Sequence, residues 1–306
     1  MKAVRIDEFG GPDKVHLSDI PVPQPGPGEV LVRVYAAALN PVDWMIREQI
    51  FNPPGADRVP LTLGQDFSGV VIELGPGAER WFSVGAEVLG ETWGSFAEYV
   101  TAPAKHLIPK PPTLDFVVAA SIPMPSLTAW QMVVDVAQAH ADQRFLIHGA
   151  AGGVGSYAAQ IARMRGAYVI ATASPPSFAW LRKIGVNEVI DYQREPFEAR
   201  VHDVDVVIDP IGGDVQERSW ETLKPGGMLI NLIGEIDEAA ARRAGARGVA
   251  FEMRYDPDDL REIVGLIERG ILLPHVAQVL SLDEARKAME LNQQGRSHGQ
   301  IVLRVA

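Results

Sequence analysis

The segment His148-Gly149-Ala150-Ala151-Gly152-Gly153-Val154-Gly155 constrains this chain more than any other, because of what flanks it. Phe145-Leu146-Ile147 before it is a buried-type β run, and residues 157–165 after it have helical period. The alternation continues. Tyr168–Ala173 reads as a strand, residues 178–184 as a helix, and residues 188–192, 204–209 and 227–233 as further strands. Strands alternating with helices across short loops predict a parallel sheet covered on both faces, a doubly wound α/β fold.

Read as Ala150-x-Gly152-x-x-Gly155, the turn matches the dinucleotide-binding pattern with alanine in place of the first glycine. Gly152 lets the backbone approach a pyrophosphate, and Gly155 lets the helix pack close to the sheet. The helix N-terminus offers N–H donors and a positive dipole end to the phosphates. An ordinary tight turn carries similar glycines; the strand before and the helix after are what the nucleotide reading requires. A site for NAD places a carboxylate about 20 residues past the motif, on the ribose hydroxyls. Here the chain has Thr172-Ala173-Ser174-Pro175-Pro176-Ser177, and no carboxylate follows until Glu188. Ser174 can donate to a 2′-phosphate that no acid repels, so the expected cofactor is NADP(H).

The first hundred residues read differently. Val30-Leu31-Val32-Arg33-Val34-Tyr35-Ala36 and residues 68–74 are short β-branched runs, and alternate prolines at Pro21, Pro23, Pro25 and Pro27 favour an extended crossing. Many short strands with Gly/Pro turns predict a barrel or sandwich. After Tyr255, residues 258–269 and 282–293 read as helices around a short strand, and residues 300–305 as a final strand. The formal charge of −11 argues against a nucleic-acid partner, which would need a basic face. No run approaches the ~18 apolar residues of a membrane span. The 306 residues include no cysteine, so thiolate zinc, iron–sulfur and disulfide chemistry are excluded, and a cytoplasmic enzyme is expected.

Asn40-Pro41-Val42-Asp43-Trp44, Gly64-Gln65-Asp66-Phe67-Ser68-Gly69, Gly94-Ser95-Phe96-Ala97-Glu98-Tyr99-Val100, the glycine turn, Lys224-Pro225-Gly226-Gly227 and Gly299-Gln300-Ile301-Val302-Leu303 follow in order. Together they resemble the zinc-free, zeta-crystallin-like quinone oxidoreductases of the medium-chain dehydrogenase/reductase superfamily. The resemblance implies a GroES-like catalytic domain of residues 1–117 and 258–306, and a Rossmann cofactor domain of residues 118–257, with the nucleotide in the cleft between them. It implies a homodimer paired through the last Rossmann strand, around residues 249–254. By position, Ala150, Gly152, Gly153 and Val154 resemble the pyrophosphate loop, and Ser174 and Tyr192 the 2′-phosphate site. Leu232, Ile233 and Gly234 resemble the backbone flank of the nicotinamide half, and Asn40 and Thr128 the residues beside the nicotinamide. One departure is Pro175-Pro176-Ser177, where NADPH-binding relatives often carry a basic residue.

Zinc-dependent members of that superfamily hold a metal through cysteine, histidine and glutamate. Here those positions read Asn40 and Gly64-Gln65-Asp66, and neither Asn nor Gln competes for zinc. The seven histidines never pair at i, i+4 spacing, so no metal is expected. Asn40, Pro41 and Asp43 also have the form of a helix start: N-cap, first-position proline, first-turn acid. His148, on a buried strand, reads as a hydrogen-bonded structural residue. Trp44, Phe51, Trp93 and Met124 lie in segments the resemblance places around the acceptor, which suggests a small, planar, apolar electron acceptor. The leading expectation is NADPH-dependent, zinc-independent quinone reduction. Reduction of activated C=C bonds (2-alkenals, enones or enoyl thioesters) is the alternative within the same chemistry. A non-enzymatic nucleotide-binding or RNA-binding crystallin-like role is the third, and the acidic balance speaks against RNA.

Overall fold

The computed structural model describes residues 1–295 and 297–306, and counts and absences refer to these. The chain divides into two compact units. The first contains Met1–Met124, Tyr255–Glu268 and Pro274–Ala306; the second contains Pro125–Arg254 and Arg269–Leu273. Residues 118–124 and 255–257, expected with the cofactor domain, group with the first unit, and Arg269–Leu273 groups with the second. Hydrogen bonds account for two of these assignments. The Met124 N–H is held by Asp66 of the first unit, at 3.1 and 3.2 Å. The Gln160 amide grips the Leu273 backbone from both sides, at 2.7 and 3.1 Å.

The second unit is a six-stranded sheet in which every paired neighbour is parallel. Across the sheet run Glu188–Asp191, Tyr168–Ala173, Arg144–Ile147, Val204–Asp209, Leu223–Asn231 and Arg247–Ala250. In chain order these are the third, second, first, fourth, fifth and sixth strands, the order of a dinucleotide-binding α/β fold. Its reversal point lies at Arg144–Ile147, the strand that feeds the glycine turn. Strands covered on both faces need continuous apolar runs. Phe145, Leu146, Ile147, Val206, Val207 and Ile208 meet that demand and are buried.

Two strands of this sheet depart from the sequence reading by more than one residue. The strand expected at 227–233 is Leu223–Asn231, interrupted near Pro225: Val204 faces Leu223 but Val206 faces Met228, so the residues between bulge. The strand expected around 249–254 is Arg247–Ala250, the sheet's last strand, and residues 251–254 lie outside it.

The first unit is built around Glu29–Leu39, an eleven-residue strand. Asp66–Leu74 pairs with it on one side; on the other, Gln300–Arg304 pairs near its end and Tyr99–Pro103 nearer its start. Val30, Val32, Val34, Phe67, Val71, Phe96, Ile301 and Leu303 alternate inward to form its core. Because Ile301 pairs with Leu39 in antiparallel register, the chain's last strand begins beside Asn40.

Candidate active site

In the second unit the turn after Arg144–Ile147 is left-handed at Gly149, with φ +54°. The conformational demand of the motif's first glycine therefore falls on Gly149, and Ala150, counted as its substitute, is simply buried. The Gly149 carbonyl accepts the Gly152 N–H at 2.9 Å and closes the turn. A Cβ on Gly155 would lie 2.4 Å from that carbonyl oxygen and 2.7 Å from the Ala150 Cα, so this glycine is required by packing. A Cβ on Gly152 would meet only the Gly149 oxygen, at 3.3 Å. Among the described residues no other atom beyond the chain neighbours lies within 4 Å of that position. The helix Gly153–Met164 starts from Gly152, which has no side chain to satisfy the first-turn N–H groups, so those donors face outward. Gly152, Gly153 and Val154 are half-buried, within reach of a ligand.

His148 sits directly before this turn and is buried. Its Nδ1 is 3.0 Å from Thr172 Oγ1 and its Nε2 is 2.9 Å from Ser219 Oγ. The Ser219 hydroxyl donates to the Val215 carbonyl at 2.6 Å, so toward His148 it can only accept. His148 therefore carries its proton on Nε2, and Nδ1 accepts from Thr172. Burial, with Arg218 nearby, pushes its pKa down to about 3. It is a neutral strut, not a proton donor.

Thr172 lies two residues before Ser174. Ala173 pairs with Asp191, so Ser174 and Tyr192 leave adjacent strands side by side. The Ser174 hydroxyl makes no capping bond to the short helix it precedes, and the Tyr192 side chain is exposed. Beyond Leu223–Asn231, Asn231 Nδ2 donates to the carbonyls of Ile233 (2.6 Å) and Gly234 (3.0 Å), shaping the Leu232-Ile233-Gly234 turn. Sequence reasoning missed Asn231; its only signal was an amide at a strand end. Thr128 lies buried on the helix Pro123–Trp130.

In the first unit Asn40 precedes the helix Pro41–Arg47. Asp43 Oδ2 accepts the Asn40 N–H at 2.7 Å, as a first-turn acid does at a helix start. The Asn40 side chain is committed elsewhere. Its Nδ2 donates to Asp66 at 2.9 Å and its Oδ1 accepts from Gln300 Nε2 at 3.3 Å. Asp66 also accepts the Met124 N–H, so one carboxyl joins two residues singled out in the sequence. Desolvation raises Asp66 well above the ordinary carboxylate range, with Glu91 adding to it. Burial also raises Asp43 and Glu91, each to about 7. Sequence reasoning used Gly64-Gln65-Asp66 and the segment holding Gln300 for the family resemblance, and the former also as a failed metal motif, but gave Asp66, Gln300 and Glu91 no role at the site. Trp44 and Met124 are half-buried, while Phe51 and Trp93 are exposed on turns of the same unit.

Among the described residues, no three His, Cys, Asp or Glu side chains are grouped to hold a metal ion. No described helix is long and apolar enough to cross a membrane.

A model of the alcohol dehydrogenase GroES-like domain matches residues 26–112, and one of zinc-binding dehydrogenase matches residues 184–303. A quinone oxidoreductase of Pseudomonas aeruginosa is 31% identical over 99% of this chain and 99% of its own length. The spectinabilin polyketide synthase system protein NorB of Streptomyces orinoci is 35% identical over 90% of this chain, which spans only 13% of that protein. Among solved structures, the quinone oxidoreductase of Coxiella burnetii has a TM-score of 0.94 at 33% identity, covering 100% of this chain and 99% of that one. Mycobacterial Rv1454c complexed with NADPH has a TM-score of 0.92 at 27% identity, with both chains covered in full. The CurK enoyl reductase has a TM-score of 0.88 at 25% identity, covering 100% of this chain and 99% of that one. With a GroES-like unit, a Rossmann unit and end-to-end similarity to quinone oxidoreductases, the chain is an NAD(P)H-dependent oxidoreductase of the medium-chain dehydrogenase/reductase superfamily.

Proposed function

We propose that this protein reduces quinones with NADPH, without zinc. The observation that carries the reading is the glycine turn at the reversal point of the parallel sheet. Gly155 is required by packing, whereas the space before Gly152 is open and faced by helix N–H groups. Gly152, Gly153 and Val154 receive the pyrophosphate, and the buried Ala150 belongs to the turn that presents them. Ser174 and Tyr192 receive the 2′-phosphate, since neither brings a negative charge. Leu232, Ile233 and Gly234 flank the nicotinamide half. The bound cofactor supplies a hydride.

Asn40 and Thr128 stand beside the nicotinamide. With its amide held at both ends by Asp66 and Gln300, Asn40 is a fixed polar wall and not an acid. Trp44, Phe51, Trp93 and Met124 line an apolar berth for a planar acceptor. Water supplies the proton that completes the hydroquinone. Asn40 and Gln65 in the metal-ligand positions are poor partners for zinc, and an electron-poor quinone accepts hydride without a Lewis acid. The protein acts as a homodimer, paired through the sheet's edge strand Arg247–Ala250.

Similarity to the CurK enoyl reductase favours one second reading, reduction of a conjugated enoyl group. A screen of NADPH oxidation against quinones, enals, enones and enoyl thioesters tests both. Turnover of 1,4-benzoquinone-type acceptors is expected, undiminished by chelators. Turnover of enoyl thioesters alone overturns the quinone reading, and stoichiometric zinc lost together with activity overturns the zinc-free one.

A further inference from the structure

Ser174 and Tyr192 leave the 2′-phosphate reading without a cation, although a dianionic phosphate is held best by charge-assisted hydrogen bonds. The linear sequence offers none beside Ser174. The sheet register does. Asp191 faces Ala173, the residue before Ser174, so the turn after Asp191 starts at the same end of the sheet as Ser174, one strand over. In that turn the Arg194 N–H donates to the Asp191 carbonyl at 3.0 Å, folding the chain back over the strand end. The Arg194 Nε then lies 3.4 Å from Asp191 Oδ2, and its side chain is 83% exposed.

The other cations of this region are engaged. Arg200 is held by Glu188 at 2.6 Å and by Glu195 at 2.7 Å. Arg182 and Lys183 lie over the rings of Phe178 and Trp180. Arg194 has one long ion pair to a carboxylate that also accepts the Gln193 N–H.

We propose that Arg194 is the residue that distinguishes NADPH from NADH, delivered from the neighbouring strand end and parked on Asp191 until a 2′-phosphate draws its guanidinium toward Ser174. This rests on the nucleotide reading above and assigns the charge that reading lacks. Asp191 serves as a positioning residue. It holds the guanidinium near the strand ends and neutralises it in the free protein.

The test is calorimetric titration of the whole protein with 2′,5′-ADP and 5′-ADP, then with NADPH and NADH. The parent is compared with Arg194→Gln and Arg194→Lys. The parent binds the 2′-phosphorylated member of each pair more tightly. Arg194→Gln weakens the phosphorylated ligands roughly tenfold or more, the scale of a lost charge-assisted bond, and leaves 5′-ADP and NADH unchanged. Arg194→Lys keeps part of the preference, because the charge survives while the planar fork does not. Melting temperatures stay at the parent value, since the side chain is exposed. Retention of the full preference in Arg194→Gln overturns the assignment and leaves the NADPH reading standing. So does equal weakening of all four ligands. A parent without preference for the 2′-phosphate overturns both.

Discussion

The two units differ in the buried titratable groups around their candidate site residues. Around Asn40 the first buries three acids, Asp43, Asp66 and Glu91, none in a salt bridge among the described residues; below the nucleotide turn the second buries a base, His148, among hydroxyls, with one acid, Asp209, at the end of the neighbouring strand. Both interiors favour the uncharged form, because burial penalises charge. Their hydrogen bonds point different ways. Asp66 and Asp43 accept N–H groups from Asn40 and Met124, which favour the anion and only partly offset desolvation. His148 gives one hydrogen bond and takes one, an arrangement complete only for the neutral ring. The polar frame around Asn40 is thus sensitive to proton activity near neutrality. His148, under the nucleotide turn, stays neutral over the same range.

The contrast breaks most visibly at Asp66. Removing its carboxyl in Asp66→Ala takes away the acceptor of the buried Asn40 amide and the bonds to the Met124 N–H, at a cost of about 3 kcal/mol. Urea unfolding at neutral pH measures this. A midpoint equal to the parent's shows that the carboxyl holds nothing together.

The next effect is a pH slope. The folded-state pKa values of Asp43 and Glu91 are raised to about 7, above their unfolded values. Their contribution to stability is fully present below the unfolded pKa and is lost as pH rises through about 7. Asp43→Asn, which keeps an oxygen for the Asn40 N–H, and Glu91→Gln each remove part of that slope. Each variant is expected to gain about 2 kcal/mol on the parent in going from pH 5 to pH 8. Parallel stability curves for parent and variants contradict this.

The smallest effect belongs to His148, where the sign is reversed. Its depressed pKa contributes stability present above the unfolded value of 6.5 and lost as pH falls toward about 3. Glutamine at this place supplies one donor and one acceptor. His148→Gln should therefore cost about 1 kcal/mol or less at pH 7 and fall off less steeply in acid. A loss as large as that of His148→Leu shows that ring packing on Phe197, 4.6 Å away, outweighs the hydrogen bonds.

Legibility followed the range of the interactions. The Rossmann unit was readable because its strands are continuous apolar runs, and Gly152 and Gly155 sit in one local turn whose context names its use. The helix start at Asn40 was readable for the same reason, but the partners of Asn40 were not. Asp66 is 26 residues away and Gln300 is 260, brought together by strand pairing that no local pattern states. Arg194 illustrates the same limit. It is 20 residues from Ser174 in the chain and one strand away in the sheet. The strand Arg247–Ala250 was placed two residues late at its start and four at its end, because the Val249-Ala250-Phe251 run does not reveal where pairing with Met228–Asn231 stops.

The most direct test is calorimetric titration of NADPH into Gly152→Val, with the far-ultraviolet dichroism of the same sample recorded alongside. A Cβ at Gly152 meets only one carbonyl oxygen of the protein, so the dichroism should match the parent's. Its methyl groups fill the space where a pyrophosphate must approach the backbone, so the binding heat should vanish. A folded Gly152→Val protein that binds NADPH as the parent does would show that the turn serves packing alone and that the nucleotide lies elsewhere.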